Sequence, residues 1–189
     1  MLVRYLDIEG PLIIKPRVFC DERGHFFESW HEHRFDHILQ DEFGFSFVQE
    51  NQSRSKRNVV RGLHYQLMPY AQGKLVRCLE GSIFDVAVDI RRDSATYGKY
   101  VGVNLSASNK LQFWVPPGFA HGFIATSKHA EVLYKTTEFW EKDFERSIRW
   151  DDTTLNIKWP VSWISKPILS EKDKTAPTLA EAEERNEVF

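Results

Sequence analysis

A run of short apolar segments separated by turn signals occupies residues 59–137 and constrains the fold more than any other feature. In residues 84–90, apolar side chains alternate with Asp85 and Asp89, which predicts a β-strand with one core face and one polar face. Similar segments follow at residues 100–105, 111–115, 119–126 and 131–137. Turn signals such as Pro116-Pro117-Gly118 recur at roughly the 8–12 residue spacing of sandwiches and barrels. Because no long helical period intervenes, we predict an all-β antiparallel barrel or double-sheet jelly roll.

The chain before this run is predicted to contain further strands and one short helix. Extended segments are expected at residues 2–20, 25–30 and 45–52, with a turn at residues 21–24. Phe35, Ile38 and Leu39 lie at helical spacing and predict a helix over residues 32–40. The polar triplet Gln49-Glu50-Asn51 is expected at the end of its strand.

After Trp140 the chain becomes more charged and its β pattern ends. Trp159-Pro160 and Trp163 indicate a tail that packs on the barrel exterior. Residues 180–187 are acidic and favour helix without a strong apolar face, so we expect a peripheral or frayed end. With 189 residues and no evident linker, the chain is predicted to be a single jelly-roll domain over residues 1–189. Its barrel core is expected at about residues 45–140, with the N-terminal strands and the C-terminal tail packed on it.

Charge and cysteine content narrow the class of protein. The net charge of -2 argues against nucleic-acid binding, since phosphate binding needs a cationic excess. The basic run Arg54-Ser55-Lys56-Arg57 is interpreted as a solvated loop. Cys20 and Cys78 are too few for a disulfide framework, which favours a reducing compartment. With no apolar run long enough for a signal peptide or a transmembrane helix, we expect a cytoplasmic protein with no membrane partner.

Part of a metal-binding cupin pattern is present but incomplete. His64 and His121, the latter following a Pro-Pro-Gly turn, match two of its positions. Gln66 replaces the second histidine of the expected His-x-His pair. Two imidazoles are too few for a divalent metal, which usually takes three or four protein ligands, so we predict a site without metal.

The two histidines occur together with Arg61, Lys74 and Tyr134. A single strand histidine is more often a hydrogen-bonded core residue than a catalyst. A neutral imidazole beside an ammonium, however, suits proton abstraction next to a carbonyl, because the ammonium stabilises the oxyanion that forms. A phenol such as Tyr134 could return the proton, although it could also be a strand aromatic whose hydroxyl reaches water.

Several motifs together resemble the dTDP-4-dehydrorhamnose 3,5-epimerases, enzymes of dTDP-L-rhamnose synthesis. These motifs are Lys15-Pro16-Arg17-Val18-Phe19, Arg61-Gly62-Leu63-His64-Tyr65-Gln66, Gln72-Gly73-Lys74-Leu75-Val76-Arg77, Phe84-Asp85-Val86-Ala87-Val88-Asp89, Phe119-Ala120-His121-Gly122-Phe123, Leu133-Tyr134-Lys135-Thr136 and Ser170-Glu171-Lys172-Asp173. The resemblance implies a homodimeric cupin jelly roll with short peripheral helices. It also implies no cofactor, and dTDP-4-dehydro-6-deoxy-D-glucose as the substrate, epimerised at C3 and C5.

The same resemblance implies roles for individual residues. His64 would be the proton acceptor, held by Asp173, and Tyr134 the proton donor on the opposite face. Lys74 would stabilise the enolate at the C4 oxygen, and His121 would support substrate binding. Further substrate-binding positions implied by the resemblance are Arg23, Glu28, Gln49, Asn51, Arg61, Glu145 and Lys172. For Arg23 and Glu28, pattern alone favours the simpler interpretation of a turn charge and an edge charge.

One departure from the family pattern concerns substrate scope. Phe139-Trp140 stands where family members commonly have two tyrosines, so an aromatic surface remains but a hydroxyl is lost. This leaves open a C3-only or C5-only epimerase of a related nucleotide sugar. A metal-dependent cupin enzyme and a non-catalytic sugar-nucleotide-binding module are further alternatives.

Overall fold

The structure, a computed structural model, describes residues 1–43, 46–160 and 166–189, except for the side chains of residues 36, 37 and 40–43. The strands are β1 (Leu2–Tyr5), β2 (Leu12–Lys15), β3 (Phe19–Asp21), β4 (Gly24–Phe26), β5 (Gln49–Lys56), β6 (Val60–Gln66), β7 (Lys74–Glu80), β8 (Ser82–Asp89), β9 (Tyr100–Ser106), β10 (Gln112–Val115), β11 (Phe119–Ala125), β12 (His129–Thr136) and β13 (Glu145–Ser147). The helices are α1 (Glu32–Phe43), α2 (Glu171–Lys174) and α3 (Leu179–Glu184).

Two antiparallel sheets pack face to face. The six-stranded sheet has the order β1-β2-β10-β7-β12-β5, and the five-stranded sheet has the order β13-β6-β11-β8-β9. Apolar side chains from both sheets share one interior cluster, for example Val76 and Phe113 with Ile83 and Phe123. The predicted double-sheet jelly roll is therefore confirmed, and each segment predicted between residues 84 and 137 is a strand. The N-terminal strands do not pack on a core that begins at about residue 45, because β1 and β2 pair into the six-stranded sheet itself.

Strand β8 corrects the expectation of one core face and one polar face. Both of its faces are buried, because Val86 and Val88 pack under the C-terminal tail while Asp85 and Asp89 point into the barrel. Buried carboxylates are tolerated only when they are paired or hydrogen-bonded. Asp89 bonds Arg91, Ser94 and Thr96, and Asp85 bonds a histidine of the site. The polar face predicted from the alternation is thus the inner face.

The outer faces of the two sheets are covered by α1 and by the C-terminal tail. Phe35 and Leu39 of α1 pack on Leu75 and Trp114 of the six-stranded sheet, which confirms the predicted helix. Trp159 packs on the outer face of the five-stranded sheet, which includes Val86 of β8, so the tail lies on the exterior as predicted. Trp163, part of the same prediction, lies outside the described residues.

The C-terminal end is peripheral but not frayed. Thr178 and Glu181 form a capping box at the start of α3, whose residues Leu179 and Ala182 are buried. The backbone of Phe189 bonds that of Ile90 and Arg92, like an added strand. Of the expected peripheral or frayed end, the structure shows a peripheral one, because Leu179, Ala182 and the cap dock this helix.

Two predictions before residue 60 also change. The basic run belongs largely to β5 and is not a loop, with Arg54 paired to Glu80. The triplet Gln49-Glu50-Asn51 begins β5 instead of ending a strand, while Phe45 of the predicted segment lies outside the described residues.

Cys20 is exposed and Cys78 buried, and both are free thiols. None of the described helices has the length and apolarity needed to cross a membrane.

Candidate active site

A bulge in β6 places Arg61 and His64 on the same face. Residues three apart on a regular strand face opposite sides, but β6 pairs His64 with His121 and Arg61 with Phe123, so one extra residue is accommodated between them. Gly62 makes this possible, since its φ is +122° and a Cβ there would lie 2.5 Å from the Cα of Gly122. Arg61 and His64 therefore both need this glycine to reach one site.

His64 forms a dyad with Asp173. Its Nε2 lies 2.6 Å from Asp173 Oδ1, and the Asp173 side chain is only 3% exposed. The other carboxylate oxygen accepts a 2.9 Å bond from Ser170 Oγ, the N-cap of α2. Because a carboxylate only accepts, Nε2 carries the hydrogen and Nδ1 of the neutral ring is left as a base.

Burial and nearby cations make the His64 imidazole a neutral group. Burial lowers its pKa most, the Asp173 carboxylate opposes this, and Lys172 and Lys74 lower the pKa further. The net shift is downward from 6.5. The carboxylate thus fixes the tautomer but does not make the net basicity higher than usual. At neutral pH the ring is available to accept a proton.

Lys74 reaches His64 across the barrel. The two residues lie on β7 and β6, which belong to opposite sheets, so proximity comes from the interior and not from a shared hairpin. Lys74 Nζ donates to the backbone oxygen of His64 at 3.2 Å. Burial lowers the Lys74 pKa to about 8, against an opposing contribution from Glu145. An ammonium at this depth is poorly solvated and well placed to bind a developing oxyanion.

Tyr134 lies beside Lys74 on the inner face of the six-stranded sheet. Lys74 pairs with Thr136 on β12, and Tyr134 is two residues away on the same face, opposite Asn51 of β5. Burial raises the Tyr134 pKa, partly offset by Arg61. The phenol therefore keeps its proton at neutral pH and can donate it.

Polar side chains surround this group at the end of the barrel where the β6–β7 and β12–β13 connections lie, which we call the open end. Lys172 Nζ pairs with Glu145 Oε1 at 2.8 Å, which links α2 to β13. Gln49 Nε2 donates to Asn51 Oδ1 at 2.9 Å. Arg61 Nε donates to Ser55 Oγ at 3.0 Å. We call His64, Lys74, His121, Tyr134 and Asp173 the central cluster. Around it lie five of the substrate-binding positions that the family resemblance implies, namely Gln49, Asn51, Arg61, Glu145 and Lys172.

A second dyad, His121 with Asp85, was not foreseen in full. His121 is 8% exposed and its Nε2 lies 2.5 Å from Oδ1 of the fully buried Asp85. Asp85 was missed because the alternation of β8 put it on the polar face, opposite the predicted core face. A signal was available, since Asp85 and Asp89 lie four residues apart on one strand and so share a face, which can equally point inward.

Arg23 and Glu28 are the two predicted residues that the chain does not bring to the central cluster. Arg23 lies in the turn of the β3–β4 hairpin, with its side chain 86% exposed and bonded to Asp21. Glu28 pairs with Arg34, at the surface. Their partners among the described residues are therefore local.

The donor set at the site is suited to proton transfer. Over residues 1–43, 46–160 and 166–189, no group of three or more His, Cys, Asp or Glu side chains could hold a metal ion. What the interior does hold is a neutral imidazole, a buried ammonium and a protonated phenol within one barrel. Fold and site together define a jelly-roll protein whose interior holds a cluster of groups suited to acid–base chemistry.

Comparisons with known proteins identify the family. The dTDP-4-dehydrorhamnose 3,5-epimerase family profile matches residues 5–181. A dTDP-4-dehydrorhamnose 3,5-epimerase of Salmonella typhimurium is 52% identical over 182 residues, which cover 96% of this chain and 97% of that protein. The chain belongs to the dTDP-4-dehydrorhamnose 3,5-epimerase family and is an enzyme of the isomerase class.

Solved structures agree with this assignment and establish the cupin jelly roll. A dTDP-6-deoxy-D-glucose-3,5-epimerase from Legionella pneumophila, in complex with dTDP-4-keto-L-rhamnose, matches with a TM-score of 0.90 and 45% identity, over 95% of this chain and 93% of that one. A 3'-monoepimerase from Streptomyces bikiniensis, in complex with dTDP-quinovose, matches with a TM-score of 0.89 and 31% identity, over 97% and 90% of the two chains. The fold is thus common to epimerases of different scope.

Proposed function

We propose that this protein epimerises C3 and C5 of dTDP-4-dehydro-6-deoxy-D-glucose to give dTDP-4-dehydro-L-rhamnose, acting as one domain over residues 1–189 without a cofactor. The observation that carries the proposal is the position of Lys74 Nζ, 3.2 Å from the backbone oxygen of His64, whose ring is held by buried Asp173. A base and an oxyanion donor on facing sheets suit a ketone held between them.

In the proposed mechanism His64 Nδ1 removes the hydrogen from a carbon next to the C4 ketone. The C–H electron pair forms the C=C bond of an enolate, and the negative charge moves to the C4 oxygen beside the Lys74 ammonium. Tyr134 then donates its proton to the opposite face of the same carbon, which inverts it. His64 releases its proton to solvent and Tyr134 regains one, so the step is balanced. Repetition at the other carbon completes the reaction.

Incubating the enzyme with this substrate in D2O should introduce two deuterium atoms into the sugar, one at each inverted carbon. Reprotonation comes from groups in exchange with solvent, so each inversion replaces hydrogen by deuterium. Mass spectrometry of the recovered nucleotide sugar gives the count, with an enzyme-free sample as control. Tight binding without any uptake would contradict the proposed function and support a binding module.

A mono-epimerase remains the second candidate, favoured by one specific observation. Phe139 and Trp140 are 56% and 52% exposed near the open end, in place of the tyrosines common in the family. The similar 3'-monoepimerase fold makes narrower scope structurally reasonable. A single deuterium in the experiment above would select this candidate.

A second copy of this chain is proposed to complete the site with Arg23 and Glu28. The β3–β4 hairpin is exposed along its whole length, with Phe19 and Phe26 at 51% and 68% exposure. Exposed aromatics on a projecting hairpin are typical of a protein contact. The strand β5, which carries Gln49 and Asn51, is an open sheet edge that such a hairpin can reach. Arg23 would then meet the substrate diphosphate, which a guanidinium binds well.

Heterodimers of an Arg23→Ala subunit and a His64→Ala subunit should recover about half of the wild-type activity, since a closed dimer has two equivalent sites and one of them would be intact. Two affinity tags allow the mixed species to be isolated, and each parental homodimer serves as a control of low activity. Activity no higher than that of the parents would show that Arg23 does not act across subunits, while the deuterium experiment on the wild-type enzyme tests the reaction itself.

A further inference from the structure

Gln66 is a buried amide next to the proposed base. It is 2% exposed and lies two residues after His64 on β6, so both side chains face the barrel interior. Its Nε2 donates to the backbone oxygens of Tyr70 at 2.6 Å and Phe139 at 3.0 Å, and its Oε1 accepts from the backbone nitrogen of Glu141 at 2.7 Å. Both N–H groups and the carbonyl are therefore engaged by the protein's own backbone.

These backbone groups belong to two loops at the open end of the barrel. Tyr70 lies between β6 and β7, whereas Phe139 and Glu141 lie in the loop of residues 137–144 between β12 and β13. The second loop follows the strand of Tyr134 and leads directly into Glu145. Gln66 thus connects β6, the strand of His64, to the loop that joins Tyr134 to Glu145.

The loop of residues 137–144 in turn orients Gln49. The backbone nitrogen of Trp140 donates to Gln49 Oε1 at 3.1 Å, and Gln49 Nε2 donates to Asn51 Oδ1 at 2.9 Å. With its carbonyl held by the loop, the Gln49 amide has its N–H groups directed toward Asn51. A continuous series of hydrogen bonds therefore runs from Gln66 through the loop to Gln49 and Asn51.

We propose that Gln66 is a positioning residue for substrate binding, which holds the 137–144 loop so that Gln49, Asn51 and Glu145 keep their places around the central cluster. The inference rests on the proposed function, because it concerns the binding of the nucleotide sugar. Gln66 fills the position where a metal-binding cupin would carry a ligand, and here the same inward position serves the loop. Since its three hydrogen bonds all go to loop backbone, its effect should fall on KM and not on kcat.

Gln66→Glu tests this with almost no change in shape. An ionised carboxylate can still accept from Glu141 but cannot donate to Tyr70 or Phe139, so both donated bonds are lost. We expect KM for the nucleotide sugar to rise about tenfold. The new carboxylate lies two residues from His64, so kcat is compared at the pH optimum of each enzyme, where it should be within about twofold of wild type. The ratio of this variant's KM to that of wild type should fall as pH is lowered, because a protonated carboxyl regains one donor. The ratio is used because His64 and Lys74 titrate in both enzymes. A merely structural defect would leave the ratio independent of pH.

Asn109→Asp is a matched control. Asn109 also pins a loop through its amide, accepting from Ser106 and Leu111 and donating to Asn104, but in the β9–β10 connection. This variant should keep the wild-type KM. Gln66→Asn, which keeps the amide and shortens the side chain, replaces Gln66→Glu if the latter does not fold.

An unchanged KM in folded Gln66 variants, or a fall in kcat alone, would overturn the inference while leaving the proposed function intact. Absence of deuterium uptake by the wild-type enzyme would instead refute the proposed function. In that case dTDP binding, measured by calorimetry, still tests the role of Gln66: weaker binding by Gln66→Glu supports it, and equal binding refutes it.

Discussion

Replacing His64 by alanine should abolish deuterium uptake at both carbons, with a loss of at least about 10²-fold and up to about 10⁴-fold, the range for a general base. The ring is the neutral base of the central cluster, because Asp173 holds its Nε2 and burial lowers its pKa. The measurement is the rate of deuterium incorporation, followed by mass at substrate saturation.

His129→Ala provides the control for this change. His129 opens β12 at the far end from Tyr134 and is half-buried, so the same substitution is made outside the site. Its exchange rate should equal that of wild type. If the His64 variant exchanged at the normal rate, with a circular dichroism spectrum like that of wild type, another group would have to be the base.

Replacing Lys74 by methionine should lower kcat by about 10²–10³-fold, the effect of removing one oxyanion donor. Methionine keeps an unbranched chain in the barrel but removes the charge. In the wild-type enzyme the ammonium is present below its pKa of about 8, so activity should fall as pH rises above this value. Activity should also fall on the acid side, where His64 becomes protonated, and this limb lies below 6.5 because its pKa is lowered.

The shape of the pH profile separates the two groups. Lys74→Met should lose the alkaline limb and keep the acid limb, since only the ammonium has been removed. Lys158→Met, an exposed lysine outside the barrel that bonds Asn156, should retain both limbs. An alkaline limb that persisted in Lys74→Met would belong to another group, and Lys74 would not be the oxyanion donor.

Much of the fold could be predicted from the pattern of apolar and polar residues, because each strand has a recognisable pattern within its own few residues. The segments from residue 84 to residue 137 alternate or are uniformly apolar, and turn residues separate them, so the two antiparallel sheets follow. The errors fall where burial depends on a distant partner. A peripheral or frayed end was expected because residues 180–187 have no strong apolar face; Leu179 and Ala182 dock α3 only because the five-stranded sheet presents a matching surface.

The residue types of the candidate site could also be identified from the sequence, but their arrangement in space could not. His64, Lys74 and Tyr134 suggest proton transfer by their chemistry alone. Nothing in local sequence relates His64 to Asp173, more than a hundred positions later, or tells that Asp85 faces inward to His121. These pairs form because the two sheets and α2 bring the residues together, and the sequence of a single strand does not indicate which distant residue it will contact.

The sequence by itself determined the class of fold, the kinds of chemical group available and the resemblance to one epimerase family. The tertiary structure alone decided which groups meet. The bulge at Gly62 turns Arg61 and His64 to one face, the two sheets bring Lys74 to His64, and Gln66 ties the strand of His64 to the 137–144 loop. The physical reason is that strand periodicity is a local property of the chain, whereas pKa, tautomer and hydrogen-bond partner depend on burial and on neighbours that are distant in sequence.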